Sequence, residues 1–163
     1  MMEIYRHYLA ALAYRFQSAV RDAPEDFGDF QAGNGVRTPK EIVRHMIQLI
    51  RFVRHSLKPP IEVESTEPKT FDEAIEGFHG ALLLLDKLFA DSEKQFDGDN
   101  LLKLLQGPLA DAITHIGQLA TLRRIAGAPI PGENFVAVRV EIGNVGADQK
   151  LARNDKNQGS SKR

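Results

Sequence analysis

The chain of 163 residues contains no cysteine. This absence excludes disulfide bonds, thiolate-bound zinc and cysteine nucleophiles, so a bound metal would need nitrogen or oxygen ligands. The chain also has little net charge: 21 basic against 22 acidic residues leave −1, which supplies no field for nonspecific binding to nucleic acid. No apolar run approaches the length of a membrane span, and the first residues lack a signal-peptide core. We therefore expect no nucleic-acid or membrane partner and a cytoplasmic location.

Four segments carry apolar residues at steps of three and four, which is the period of an amphipathic helix. The last of them is apolar at nearly every position, and the four cover about residues 4–20, 39–57, 71–90 and 109–125. Capping boxes begin the second and third segments, at Thr38-Pro39-Lys40-Glu41 and Thr70-Phe71-Asp72-Glu73. This pattern predicts an all-α fold, a four-helix bundle, in one domain over residues 1–146, with the fourth helix the most buried.

The connections are predicted from turn residues. Residues 22–36, with two phenylalanines among proline, glycine and acidic residues, indicate a long, partly anchored loop. Asp97-Gly98-Asp99-Asn100 is typical of a turn, and Gly107-Pro108 is expected to open the fourth helix. Residues 135–142 alternate in polarity, as a short extended C-terminal segment would. Residues 147–163 offer almost nothing to bury, so we predict a flexible, disordered tail.

The candidate site lies on the fourth helix. Asp111 and His115 are the only ionisable side chains in residues 109–121, and their spacing of four places them on one helical face. Gln118 continues this line and is predicted to orient a ligand or a bound water. His45 has a related placement on the second helix, at the edge of its apolar stripe. Three nitrogen or oxygen ligands with open positions are typical of a catalytic metal site, so we predict metal ligands at His45, Asp111 and His115.

Interpretations without a metal stay open for these residues. His115 could be a buried histidine that hydrogen-bonds Asp111 one turn away, and Gln118 could be a buried amide satisfied by backbone or by a partner subunit. His79, on the flank of the third apolar stripe, could add a ligand, but a half-exposed surface histidine is the more common case. Five arginines either form an anion site for the carboxylates of a cofactor or lie on solvated helix faces: Arg44, Arg51, Arg54, Arg123 and Arg124.

Beyond the spacing of single residues, three stretches of the chain resemble a known family, the DinB / YfiT-like superfamily. The resemblance covers about Tyr5 to Phe135 and is carried by Thr38-Pro39-Lys40-Glu41-Ile42-Val43-Arg44-His45-Met46, by Asp111-Ala112-Ile113-Thr114-His115-Ile116-Gly117-Gln118-Leu119 and by Arg123-Arg124-Ile125-Ala126-Gly127-Ala128-Pro129-Ile130-Pro131-Gly132. It implies a four-helix bundle, often dimeric, in which one His of the second helix and a His-x-x-x-His pair of the last bind a metal. By position His45 and His115 match two of these ligands, and Asp111 stands where the family usually has its other histidine.

The resemblance also implies a function. Some members of the superfamily are thiol-dependent transferases or isomerases, so we expect a divalent-metal-dependent enzyme, such a thiol transferase or else a hydrolase, that acts on a small-molecule substrate. A low-molecular-weight thiol is the expected cofactor, and a set of two histidines and one carboxylate suits nickel, zinc, manganese or iron. The alternative is a non-catalytic, dimeric stress-response or binding protein with a degenerate metal site. A homodimer is expected in either case.

Overall fold

The computed structural model describes residues 2–57, 67–91 and 96–149. Within these ranges the fold is all-α: no strand forms, and the long helices are α1 (Met2–Val20), α2 (Pro39–Leu57) and α3 (Phe71–Ala90), followed by a short α4 (Gly98–Leu104) and a long α5 (Ala110–Ile125). α1 and α2 each pack against both α3 and α5, so that the four long helices enclose one apolar core. None of the helices in the described ranges is long and apolar enough to cross a membrane.

The capping boxes at the starts of α2 and α3 form as predicted. At α3, the Thr70 hydroxyl accepts a hydrogen bond of 3.1 Å from the Glu73 backbone amide, and the Glu73 carboxylate accepts one of 3.3 Å from the Thr70 amide. Thr38 and Glu41 exchange the same pair of bonds at α2, at 3.3 and 2.8 Å. Each box satisfies amides that the first helical turn leaves without a partner, which is why both helices begin where the sequence indicates.

The prediction of a turn at residues 97–100 is wrong, because Asp97 caps a helix there. Its carboxylate accepts hydrogen bonds from the backbone amides of Asp99 and Asn100, at 3.4 and 3.2 Å. α4 then runs into α5 through a π-helical turn at Leu105–Leu109 that contains Pro108. Proline has no amide hydrogen to donate, and a wide turn accommodates the missing bond. Gly107-Pro108 therefore lies inside a helical run instead of opening one.

The burial of the helices differs from the prediction that the fourth would be the most enclosed. Eleven of the 19 residues of α1 are buried, against six of the 16 in α5. α1 packs on α3 through Phe16 and Phe78, whose ring centroids lie 4.4 Å apart. α5 instead leaves one side open, since Gly117, Gln118 and Thr121 are exposed. This open side of α5 carries the candidate site.

The loop between α1 and α2 is anchored at its middle, as predicted. Phe27 is buried, and Gly28 packs so closely on α3 that a Cβ at this position would lie 2.5 Å from the Cβ of Phe71. The loop then turns through three consecutive residues with positive φ, at 83°, 54° and 72°: Gly33, Asn34 and Gly35. Because two of the three are glycines, this left-handed path carries little strain, and it delivers Val36 and Arg37 beside the start of α2.

The segment after α5 lies against α1 and α3. Residues 135–142, predicted as extended, form no strand, and Val136 in the turn at residues 135–137 is 96% exposed. Farther along, Gln149 is buried, and its backbone carbonyl accepts a hydrogen bond of 2.9 Å from Arg21. The first three residues of the predicted tail, 147–149, are thus part of the packed fold. The rest of that tail, residues 150–163, lies outside the described residues.

Candidate metal centre

Helices α2 and α5 bring His45, Asp111 and His115 together. The Asp111 Oδ2 atom lies 3.6 Å from the Nε2 atom of His45 and 3.5 Å from the Nε2 atom of His115. The two imidazole rings meet edge to face, with centroids 4.8 Å apart. One ligand atom from each of the three residues lies within 4.8 Å of the other two, so the group can hold a metal ion.

The two separations from Asp111 are close to those between ligands of one metal ion. Both separations from Asp111 are longer than the usual 2.7 to 3.2 Å (roughly) of a hydrogen bond to oxygen. Ligand atoms about 2.1 Å from one ion in tetrahedral geometry are about 3.4 Å apart, which is close to the separations of 3.5 and 3.6 Å. The contact of His115 with Asp111 that the sequence left open is present as an ion pair, and His45 lies at nearly the same distance from the same oxygen.

Two neighbouring side chains orient the ligands. The Nδ1–H of His115 donates to the Gln118 side-chain oxygen at 2.8 Å, which leaves the Nε2 lone pair directed at the group. The Thr114 hydroxyl donates to the Asp111 backbone carbonyl at 2.8 Å and also lies 3.1 Å from Asp111 Oδ1, while Oδ2 faces the two imidazoles. Gln118 was predicted from its place on the helical face. Thr114 was not, although a hydroxyl three residues after Asp111 is within reach of its carboxylate.

The group is partly open to solvent. The side chain of His115 is 8% exposed, whereas those of His45 and Asp111 are 30% and 45% exposed. A metal held by these three residues would therefore keep coordination positions for water or for another small ligand, which is the arrangement of catalytic rather than structural sites.

His79 does not join this group, and its interpretation as a surface residue is wrong. It is buried between α1 and the C-terminal segment, where its Nδ1 lies 2.7 Å from the Val145 carbonyl and its Nε2 lies 2.9 Å from the Gln17 side-chain oxygen. Burial lowers the pKa of the His79 imidazole, because the charged ring would lose its hydration, although the Val145 carbonyl acts in the opposite direction. His79 thus holds the C-terminal segment to the core.

Two of the five arginines considered for an anion site are engaged with backbone. Arg44 donates to the Pro68 carbonyl and lies 3.6 Å from Glu67. Arg123 is buried, and its guanidinium donates to four carbonyls at 2.9 to 3.2 Å: those of Ala19, Arg21, Asp22 and Ala128. Ala19 lies in the last turn of α1, which has no basic residue of its own, and Arg21 and Asp22 directly follow the helix, so Arg123 acts as a cap supplied by α5.

A cleft of about 780 Å³ borders the metal group. His115 and Gln118 form one part of its wall, which continues along α5 to Ile125. The opposite wall comes from the loop before α2 and includes Val36 and Arg37. The candidate metal centre therefore lies beside a concave, mainly apolar surface.

Comparisons of the chain with protein-family models, with curated proteins and with solved structures returned no match. The fold class and the geometry around His45, Asp111 and His115 are therefore the observations on which a functional proposal can rest.

Proposed function

We propose that the chain is a four-helix-bundle protein of the DinB / YfiT-like type that binds one divalent metal ion through His45, Asp111 and His115. The convergence of these three side chains from two helices carries the proposal. His45 is separated from Asp111 by 66 positions in the sequence (111 − 45), so their meeting is a product of the fold and not of local helix geometry. A pairing of Asp111 with His115 alone would need only one helix, whereas here His45 of α2 also lies against the same carboxylate oxygen.

The bound metal would supply Lewis acidity, which lowers the pKa of a coordinated thiol or water or polarises a carbonyl group. Gln118 fixes the ring of His115, and the Thr114 hydroxyl lies against the carboxylate of Asp111, which supports an arrangement of the ligands before the ion arrives. Because the chain has no cysteine, a thiol nucleophile would have to come from a small molecule. We propose on this basis a metal-dependent enzyme, a thiol-dependent transferase or isomerase, that acts on a small molecule.

The ligand set also limits the metal. Two imidazoles and one carboxylate suit nickel, zinc, manganese or iron, and they disfavour a soft ion such as Cu(I), which prefers sulfur. The replacement of a histidine nitrogen by the oxygen of Asp111 adds a negative charge to the site. We therefore expect tighter binding of hard ions such as Mn²⁺ than an all-histidine site on this scaffold would show.

Metal analysis of protein purified without an affinity tag tests the proposal directly. We expect about one equivalent of metal after incubation with zinc, nickel or manganese and gel filtration. Asp111→Asn keeps the shape of the side chain but removes its charge, so it should weaken binding by at least about tenfold. Asp26→Asn is the matched control, because Asp26 is an exposed aspartate in the loop after α1. Uptake far below one equivalent by the unaltered protein, with each of the three metals, would refute the proposal.

Asp111→His separates the enzyme from the alternative, a non-catalytic binding protein with a degenerate site. If Asp111 is a ligand, the variant should still bind one metal but with a changed preference among zinc, nickel and manganese. If the natural site is degenerate, the unaltered protein binds no metal and the variant gains binding. The two proteins measured side by side thus decide between a functional aspartate and a lost histidine.

We also propose a homodimer, as the family resemblance implies. Leu83 and Leu84 on α3 support this, since both are large apolar side chains more than two-fifths exposed, at 42% and 46%. Sedimentation velocity should give a mass near twice 18.2 kDa. A mass of a single chain at every concentration tested would contradict the dimer without affecting the metal site.

A further inference from the structure

The cleft beside the metal group has the features of a small-molecule site. Its volume of about 780 Å³ lies within the range of roughly 300 to 1,000 Å³ that is typical of ligand pockets. Two large apolar side chains that remain half-exposed in the fold, Val36 at 50% and Ile125 at 59%, belong to its wall. An apolar ligand in the cleft would cover both of them, and the hydrophobic effect would favour its binding.

The wall of the cleft also carries a positively charged side chain. Arg37 lines the cleft and forms no hydrogen bond or ion pair with the described residues. Arg37 interacts electrostatically with Glu41, whose carboxylate is already bonded by the backbone and the hydroxyl of Thr38. A guanidinium with a free face can bind a carboxylate through two parallel hydrogen bonds, and the apolar wall beside it suits the hydrophobic body of an organic acid.

Arg37 and the metal group are separated along the cleft. His45 is the seventh residue of α2, which begins at Pro39, so it lies about 9 Å along the helix axis from the first residue. Arg37 precedes that first residue by two positions. A ligand that reaches from one to the other must therefore be elongated, with its anionic group at one end.

We infer that the cleft binds an elongated apolar carboxylate, with the carboxylate on Arg37 and the opposite end beside His115 and the metal group. The inference rests on the proposed function for the role of the metal-facing end, but the binding of the carboxylate itself does not need the metal. It names the substrate class that this site would accept: small organic acids with a hydrophobic body.

Octanoate binding to metal-free protein, measured by calorimetry, tests the site without reference to metal. Butyrate should bind at least about tenfold more weakly, since four fewer methylene groups are buried. Arg37→Gln should weaken octanoate binding about fivefold, the factor expected for a partly exposed ion pair, and should leave the binding of octan-1-ol unchanged. Equal losses for the acid and the alcohol would show that Arg37 only shapes the cleft, which would overturn the proposed recognition.

Gly117→Leu blocks the cleft and provides the second variant. A Cβ at position 117 would meet no atom within 4 Å, so the new side chain can extend into the open cleft without disturbing the packing of α5. We expect this variant to fold, to bind metal as the unaltered protein does, and to lose octanoate binding. Octanoate that still binds to Gly117→Leu is held elsewhere, and that result would refute the site. The site would also be refuted if the unaltered protein did not bind octanoate, as expected if a second copy of the chain covers the cleft in a dimer.

Loading the protein with Mn²⁺ then reports the orientation of the ligand. The bound Mn²⁺ ion should relax the protons at the methyl end of octanoate faster than the protons next to its carboxylate, because the methyl end lies closer to the metal. The reverse pattern would place the carboxylate on the metal and overturn the role of Arg37. Protein that binds octanoate but takes up none of zinc, nickel and manganese would refute the proposed function, while the Arg37 and Gly117 variants would still decide the carboxylate site.

Discussion

Replacing Gln118 by leucine removes the oxygen that accepts the Nδ1–H of His115 at 2.8 Å. A neutral hydrogen bond of this kind contributes about 0.5 to 1.5 kcal/mol, and loss of a group that orients a metal ligand typically weakens metal binding by about 10 to 100-fold. Gln118 is exposed, so water can replace part of the bond, and we expect the lower limit, about tenfold. Without the amide oxygen, the His115 ring is also free to adopt the tautomer whose Nε2 carries the proton and cannot bind metal.

Gln118→Glu should act in the opposite direction. A carboxylate accepts the same Nδ1–H more strongly, by about 1 kcal/mol, and makes the Nε2 lone pair more basic, so metal binding should tighten about fivefold. Both variants are compared with the unaltered protein by competition against a coloured chelator, and exposed Gln106→Leu in the π-helical turn serves as the control. If leucine and glutamate at position 118 changed the affinity in the same direction, or not at all, the orienting role of Gln118 would be wrong.

The other predictions concern stability. Phe78→Ala removes a fully buried ring that packs on Phe16, so it should lower the free energy of unfolding in urea by about 3 to 5 kcal/mol. Phe52→Ala is the control, because Phe52 is 57% exposed, and it should lower this free energy by less than about 1 kcal/mol. Equal losses in the two variants would contradict the assignment of Phe78 to the core. Thr70→Ala removes the α3 capping box and should lower it by about 1 kcal/mol, and no loss would show that the box is dispensable. Burial lowers the pKa of His79, so as the pH falls below about 6.5 the unfolded chain takes up a proton before the folded one does, and stability decreases toward low pH. This decrease should be smaller in His79→Gln, and a pH profile identical to that of the unaltered protein would refute the assignment.

The helices were predictable because their signals are local. The starts of α2 and α3 depend on Thr–Glu pairs three residues apart, and each pair forms the expected reciprocal hydrogen bonds. The pairing of Asp111 with His115 on one face likewise follows from the helical repeat. His45 was placed from its position at the edge of an apolar stripe, and its arrival beside Asp111 depends on the contact between α2 and α5.

What the sequence could not show depends on contacts between distant segments. His79 resembles a surface histidine on its own helix, but α1 and the C-terminal segment cover it, and Gln17 and Val145 supply oxygen atoms to its ring nitrogens. Arg123 belongs to a pair of arginines that suggests a solvated face, yet one of the two turns inward to the carbonyls at the end of α1. Pro108 signals a helix boundary in nearly any local reading, and the π-helical turn overrides that signal.

The contacts of α1 have a consequence for the order in which the protein can fold. Arg6 pairs with Asp86, 80 residues later, Tyr14 bonds Glu133 at a separation of 119 residues, and the Ala10 carbonyl accepts from Gln149 at a separation of 139. Asp86 lies on α3, whereas Glu133 and Gln149 lie in the segment after α5, so α1 completes its polar contacts only when both parts of the chain are in place. The apolar face of α1 can pack on α3 earlier, but the helix lacks its full set of partners until the segment after α5 is in place. We expect the most deeply buried helix to be among the last to reach its native environment.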